Sequence, residues 1–186
     1  MPTALLILDM QKYFFQTEIK RTRYPQLISS INALIREFDK HEDAAIFNII
    51  SLHKADRSTW SRNMILHDTG CLLEGTQEAE IVEDLQQSNK QIIIPKTRHS
   101  AFMRTDLEKK LLEKGVKRII ISGVYTHGCI ALTAIDAWSL DFEVVIASDG
   151  IFSHRSDLAE FCIERLQNMF HIPFLSNTQI IEQGLL

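Results

Sequence analysis

Arg118-Ile-Ile-Ile-Ser-Gly-Val-Tyr-Thr-His-Gly-Cys-Ile-Ala-Leu-Thr-Ala-Ile-Asp-Ala-Trp138 changes its period half-way along, and that change decides the fold. Ile119 to Val124 is a short apolar, β-branched run of the kind that makes a buried strand. After Cys129 the period becomes helical, with Ile130, Ala131, Ala134, Ile135 and Trp138 on one face. Cys129 therefore falls near a helix N-terminus, just past the C-terminal end of a strand. Unpaired amides and the helix dipole at such a place favour a thiolate over a thiol. That suits a nucleophile, against the alternative of a small buried hydrophobe. Cys162, on an apolar helix face, and Cys71, in a loop beside Gly70, fit the alternative better.

Strand-then-helix patterns recur outward from this stretch. Strands are predicted at residues 4–10, 44–51, 91–95, 118–124, 143–148 and near 179–181. Between them lie a helix marked by Leu27, Ile28, Ile31, Leu34, Ile35 and Phe38, and others at 78–86, from Gly128, and at 156–170. One more starts at a capping box, Thr105-Asp-Leu-Glu108, and stops at Gly115. Strands alternating with helices predict an α/β fold: a doubly wound, Rossmann-like six-stranded parallel sheet with helices on both faces, in one domain over residues 1–186. The long polar stretch 52–77 is predicted to be a functional loop, and Lys20-Arg21-Thr22-Arg23 a solvated one.

In an open parallel sheet, ligands bind at the C-terminal ends of the strands. Two further strands end there in charge: Ala4-Leu-Leu-Ile-Leu-Asp-Met10 delivers Asp9, and Gln91-Ile-Ile-Ile-Pro-Lys96 delivers Lys96. A turn-forming Asp and a solvated Lys are the ordinary readings, but three strands delivering Asp, Lys and Cys to one edge suggest chemistry. A cysteine nucleophile needs a base for its proton and an acid for the leaving amine, and one carboxylate can serve as both in turn. A nearby ammonium lowers the thiol pKa and keeps the carboxylate charged. The tetrahedral oxyanion needs amide donors, which a strand-to-helix turn supplies.

Leu8-Asp9-Met10-Gln11, Lys96 with Ser100-Ala101-Phe102, and Gly123-Val124-x-Thr126-x-x-Cys129-Ile130 together resemble the isochorismatase-like cysteine hydrolases. Ala134, Asp136-Ala137 and Val145-x-x-Ser148-Asp149 extend the resemblance over nearly the whole chain. It implies that Asp9 is the general acid/base, Lys96 the third triad member and Cys129 the nucleophile. It also implies a cis peptide at Val124–Tyr125, an oxyanion hole made by the Tyr125 and Cys129 N–H groups, and a lid formed by the segment after the second strand. Nicotinamidase-like members carry an Asp-x-His metal pair where this chain has Ser51-Leu52-His53. With Ser51 in place of the carboxylate and only His67 as a further partner, no bound metal and no cofactor are expected.

Phe14, Trp60, His99 and Tyr125 are the residues expected to contact substrate, with Phe102 weighed as a further wall or a core residue. His127 is read as a loop or interface residue. The 186-residue chain is 45% hydrophobic and 24% charged, with net charge −4, which gives no electrostatic case for nucleic acid. No apolar run approaches the roughly 20 residues that span a bilayer, and no signal peptide is read at the N-terminus. Three cysteines without paired spacing suggest a reducing, cytoplasmic setting. A homo-oligomer, dimer or tetramer, is expected by resemblance alone. The reading is a hydrolase that cleaves a C–N bond of a small amide, carbamoyl or ureido compound through a thioester. The alternatives are acid-catalysed vinyl ether hydrolysis of the isochorismatase type and a non-catalytic small-molecule-binding protein.

Overall fold

Strands covered on both faces read as continuous apolar runs, and the sheet is built from such runs. The structure, a computed structural model, describes residues 1–186, the Ile19 side chain excepted. The strands are β1 (Thr3–Leu8), β2 (Ala45–Ser51), β3 (Gln91–Lys96), β4 (Arg118–Val124), β5 (Glu143–Phe152) and β6 (Phe174–Leu175). They form one six-stranded sheet in the order β3-β2-β1-β4-β5-β6, with every neighbouring pair parallel. Along β1, Ala4, Leu6 and Leu8 enter one core while Leu5 and Ile7 enter the other. The first core is closed by α3 (Leu107–Glu113), α4 (Ala131–Ser139) and α5 (Ser156–Phe170). The second is closed by α1 (Glu18–Asp39) and α6 (Asn177–Glu182). The chain passes from β1 outward to β2 and β3 and then crosses back to β4 on the other side of β1. The strand order reverses there, so a crevice opens at the C-terminal ends of β1 and β4.

Glycine is required where these two strands meet. Gly123 has φ +112°, and a Cβ there would lie 2.1 Å from the Leu8 carbonyl oxygen. β5 is longer than expected because its register against β4 shifts between Ile121 and Gly123; the strand runs through the irregularity to Phe152.

Four sequence expectations are corrected. Residues 78–86 are not a helix: a 3₁₀ turn, Gln77–Ala79, is followed by backbone tied to the chain after β1. Lys12 N donates to Glu80 O at 2.9 Å and Val82 N to Met10 O at 3.0 Å, so tertiary bonds take the groups a helix would use. Residues 179–181 lie in α6, whose start carries a capping box between Ser176 and Gln179; the last strand precedes it. The box at 105–108 does not form, because Thr105 Oγ1 donates to Ala101 O at 2.6 Å and Asp106 makes no side-chain cap. The basic run 20–23 lies in α1 rather than in a loop, as suits strong helix formers, with Arg21, Thr22 and Arg23 exposed. Among the described residues no helix is long and apolar enough to cross a membrane.

Candidate active site

Asp9 ends β1 in the left-handed region, φ 56°, which Asp tolerates better than most residues. Its N–H donates to Ile49 O at 2.8 Å, and its carbonyl accepts from Gln11 N at 2.8 Å. The buried Gln11 side chain brackets the end of β2. Its Oε1 accepts from Ser51 N at 2.8 Å, and its Nε2 donates to Ser51 O at 2.9 Å and to Ala79 O at 2.8 Å. Ser51 Oγ is thereby held where it donates to Asp9 Oδ1 at 2.8 Å.

Lys96, the last residue of β3, is 1% exposed and turns its ammonium inward. Nζ lies 2.8 Å from Ser51 Oγ, 2.9 Å from Asp9 Oδ2 and 3.4 Å from Cys129 Sγ. The ammonium donates to Ser51 Oγ and Cys129 Sγ and faces Asp9 Oδ2 as an ion pair. The approach to Oδ2 is ionic rather than a directed hydrogen bond, so that oxygen keeps its lone pairs free. Burial alone would pull the Lys96 pKa down, but the Asp9 carboxylate and the Cys129 sulfur outweigh it and the net shift is upward.

Cys129 sits in a π-type turn, Thr126–Ile130, in which Gly128 departs from helical geometry at φ −123°, ψ −106°. The Tyr125 carbonyl accepts from Gly128 N at 2.9 Å and from Ile130 N at 3.3 Å, passing over the Cys129 N–H between them. The Val124–Tyr125 peptide bond is cis. Burial, and then the Asp9 carboxylate, push the Cys129 thiol up to about 12, against the opposing pull of Lys96. Burial thus opposes the thiolate that a helix terminus would favour.

A cavity of about 520 Å³ opens onto this cluster. Phe14, His99 and Tyr125 line it, as do Ser51, Lys96 and Cys129. The Phe14 and Tyr125 rings meet edge-on at 5.4 Å, and the Tyr125 hydroxyl donates to Phe14 O at 2.9 Å. His99 Nδ1 lies 3.7 Å from Cys129 Sγ, and burial followed by the Lys96 charge keeps that imidazole below its usual pKa. Trp60 is not on the wall, contrary to expectation. Its indole donates to Lys54 O at 3.0 Å, and the ring packs so closely on Gly70 that a Cβ there would approach within 2.6 Å. Phe102 stacks on Phe142 beside the first core, away from the cavity. His127, expected as a loop or interface residue, lines the cavity and bonds Ser153 Oγ through Nδ1 at 2.6 Å.

The loop after β2 supplies the outer wall with His53, Asn63, Met64, Cys71 and Leu72, of which Asn63 and Met64 belong to α2 (Arg62–Leu66). His53 is buried, and its Nδ1 lies 3.1 Å from Thr59 O, which fixes the proton on Nδ1. Sequence reasoning held Gln11 only as part of the Leu8–Gln11 motif, read Cys71 as a small buried hydrophobe, gave Arg98 no role and weighed Ser51 only as a lost metal ligand. Arg98 was legible as the next like-signed residue two places beyond Lys96; nothing local to Gln11 or Cys71 shows which backbone or cavity each one meets.

An isochorismatase-domain family model matches residues 3–178. The chain belongs to the isochorismatase family. An isochorismatase family protein from Desulfovibrio vulgaris superposes with a TM-score of 0.86 at 28% identity, over 99% of this chain and 98% of that one. A "Probable inactive nicotinamidase" of Arabidopsis thaliana is 31% identical over 160 residues, 80% of this chain and 79% of that protein. Enterobactin synthase component B of Escherichia coli is 26% identical over 185 residues. That match takes in 98% of this chain but spans only 62% of the relative's length. The metal site of nicotinamidase-like members does not fit the donors present. Ser51 Oγ is engaged by Asp9 and Lys96, and His67 is exposed and off the cavity wall. Among the described residues no three His, Cys, Asp or Glu side chains group as metal ligands.

Proposed function

We propose that this isochorismatase-family protein is a cysteine hydrolase of a small amide, carbamoyl or ureido compound. The observation that carries the reading is the buried cluster in which Lys96 touches Asp9, Ser51 and Cys129 at once. A surface lysine has no reason to be there, whereas a nucleophile sharing a charge-balanced pocket with a base does.

The steps follow from where the protons can go. Asp9 takes the Cys129 proton as Sγ attacks the carbonyl carbon, and the resulting oxyanion is held by the Tyr125 and Cys129 N–H groups. The C–N bond then breaks as Asp9 returns the proton to the departing nitrogen, leaving a thioester on Cys129. Water, deprotonated by Asp9, attacks the thioester; the C–S bond breaks and the sulfur recovers its proton. Lys96 keeps the pocket neutral while the negative charge moves between Asp9, Sγ and the substrate oxygen. The raised thiol pKa fits this scheme, because the thiolate forms only when attack consumes it.

The test is ammonia or amine release from a panel of carbamoyl, ureido and primary amide compounds by wild type, Cys129→Ala and Asp9→Asn. Loss of turnover in both variants, with circular dichroism unchanged, supports the triad; turnover retained in either refutes it. A second reading is favoured by the 3.7 Å approach of His99 Nδ1 to Sγ, which offers the thiol another acceptor. If His99 is the base, His99→Asn removes the acid limb of the kcat/KM profile; if Asp9 is, that limb survives.

A further inference from the structure

Arg98 is the one permanent cation on the cavity wall that the triad does not absorb. Lys96, the other, is surrounded by Asp9, Ser51 and Cys129. Arg98 makes no ion pair among the described residues, and the cavity wall holds no Asp or Glu side chain to give it one. The carboxylates of the neighbouring loop are engaged elsewhere. Asp68 pairs with Arg57 at 2.7 Å, Asp56 accepts from Ser58 N at 2.9 Å, and Glu78 accepts from Leu72 N at 2.7 Å.

The guanidinium is nevertheless held in place. One terminal nitrogen, Nη1, donates to Thr59 O at 3.0 Å and to Thr97 O at 2.6 Å. Two carbonyls on one nitrogen fix the plane of the group and leave the opposite edge, Nε and Nη2, without a protein partner. A planar guanidinium with a free edge is shaped for a carboxylate, which it grips through two parallel N–H bonds. His53, on the same wall, is held below its usual pKa first by burial and then by the charges of Arg98 and Lys96, as a cationic cavity requires.

We infer that Arg98 is a specificity-determining residue that binds a carboxylate carried by the substrate, so that the preferred substrates are short amide, carbamoyl or ureido acids rather than neutral amides. The inference rests on the hydrolase reading for the word substrate, but the binding of the acid does not depend on the triad. Arg98 and Cys129 line the same cavity of about 520 Å³, which has room for a small molecule that reaches both.

The experiment measures binding, with turnover removed. Cys129→Ala protein is titrated calorimetrically with the ω-carbamoyl carboxylates having one to four methylenes between amide and acid, and with the corresponding neutral diamides. The expected result is that at least one acid binds about tenfold or more tighter than its diamide, with a preference that weakens as salt rises. In Cys129→Ala/Arg98→Gln the preference disappears while the diamide affinity holds. Equal affinity for acid and diamide, a preference that survives Arg98→Gln, or no binding of any acid up to about 10 mM each overturns the inference. Failure of the hydrolase reading looks different: the acids bind Cys129→Ala in an Arg98-dependent way, yet wild type turns none of them over.

Discussion

Lys96 and Arg98 are cations two residues apart, and the fold treats them in opposite ways. Lys96 is 1% exposed, its ammonium donating to Ser51 and Cys129 and paired with the Asp9 carboxylate. Arg98 is half-buried and is steadied only by the Thr59 and Thr97 carbonyls. The difference teaches that a counter-charge inside the fold turns a cation into part of the scaffold. Oriented by carbonyls alone, the same charge stays available to a ligand. On the proposed reading, one strand end serves the reaction and the residues just beyond it serve recognition.

Removing the buried cation breaks this comparison most severely. Lys96→Met leaves the Asp9 carboxylate buried without its partner, and the expected cost is about 3–5 kcal/mol in a urea titration, with turnover lost. A wild-type midpoint would mean that the pair holds nothing together. Asp9→Asn comes next. Turnover falls by about 10²–10⁴-fold, while iodoacetamide labels Cys129 faster near neutral pH, because the carboxylate that helped raise the thiol is gone and Lys96 remains. Labelling slower than wild type would show that the carboxylate activates the resting thiol instead.

Smaller effects sharpen the contrast. Ser51→Ala removes the hydroxyl between Lys96 and Asp9, with an expected loss of about 1.5–3 kcal/mol in stability; an unchanged midpoint would mean that Ser51 is a bystander. Arg98→Gln shifts the midpoint by no more than about 0.5 kcal/mol, since no carboxylate of the protein depends on it, and a large loss would place Arg98 in the scaffold after all. The mildest effect is that of acid. His53, His127 and His154 all sit below the usual 6.5 in the fold, burial being the largest cause for each. As pH falls through 6.5 the unfolded chain takes up protons before the folded one, so stability present above that pH declines below it. Urea midpoints at about pH 7.5 and 5.5 check this, and a midpoint that rises in acid would contradict it.

How much of this was legible beforehand depended on whether the signal was local. The strands ending at Asp9, Lys96 and Cys129 carry their own apolar runs, and period alone located them. Residues 78–86 have helical composition, but their backbone bonds to Met10 and Lys12, partners that no window of sequence contains. The same limit hid Ser51: its hydroxyl acts only because Gln11, forty positions away, holds the backbone of β2 on both sides. Trp60 misled for the converse reason. An aromatic ring in a loop suggests a wall, yet Gly70 offered it a closer surface to pack on.

Burial and the neighbouring Asp9 carboxylate favour the thiol form of Cys129. Oxidants and simple electrophiles attack thiolates. Under the proposed mechanism the sulfur ionises only in step with attack on a bound carbonyl, which spares it from sulfenic acid formation and indiscriminate modification. On that mechanism molecular shape governs covalent inhibition: a compound must first bring its own carbonyl or nitrile into the cavity, where Asp9 would receive the proton as the new bond to sulfur forms.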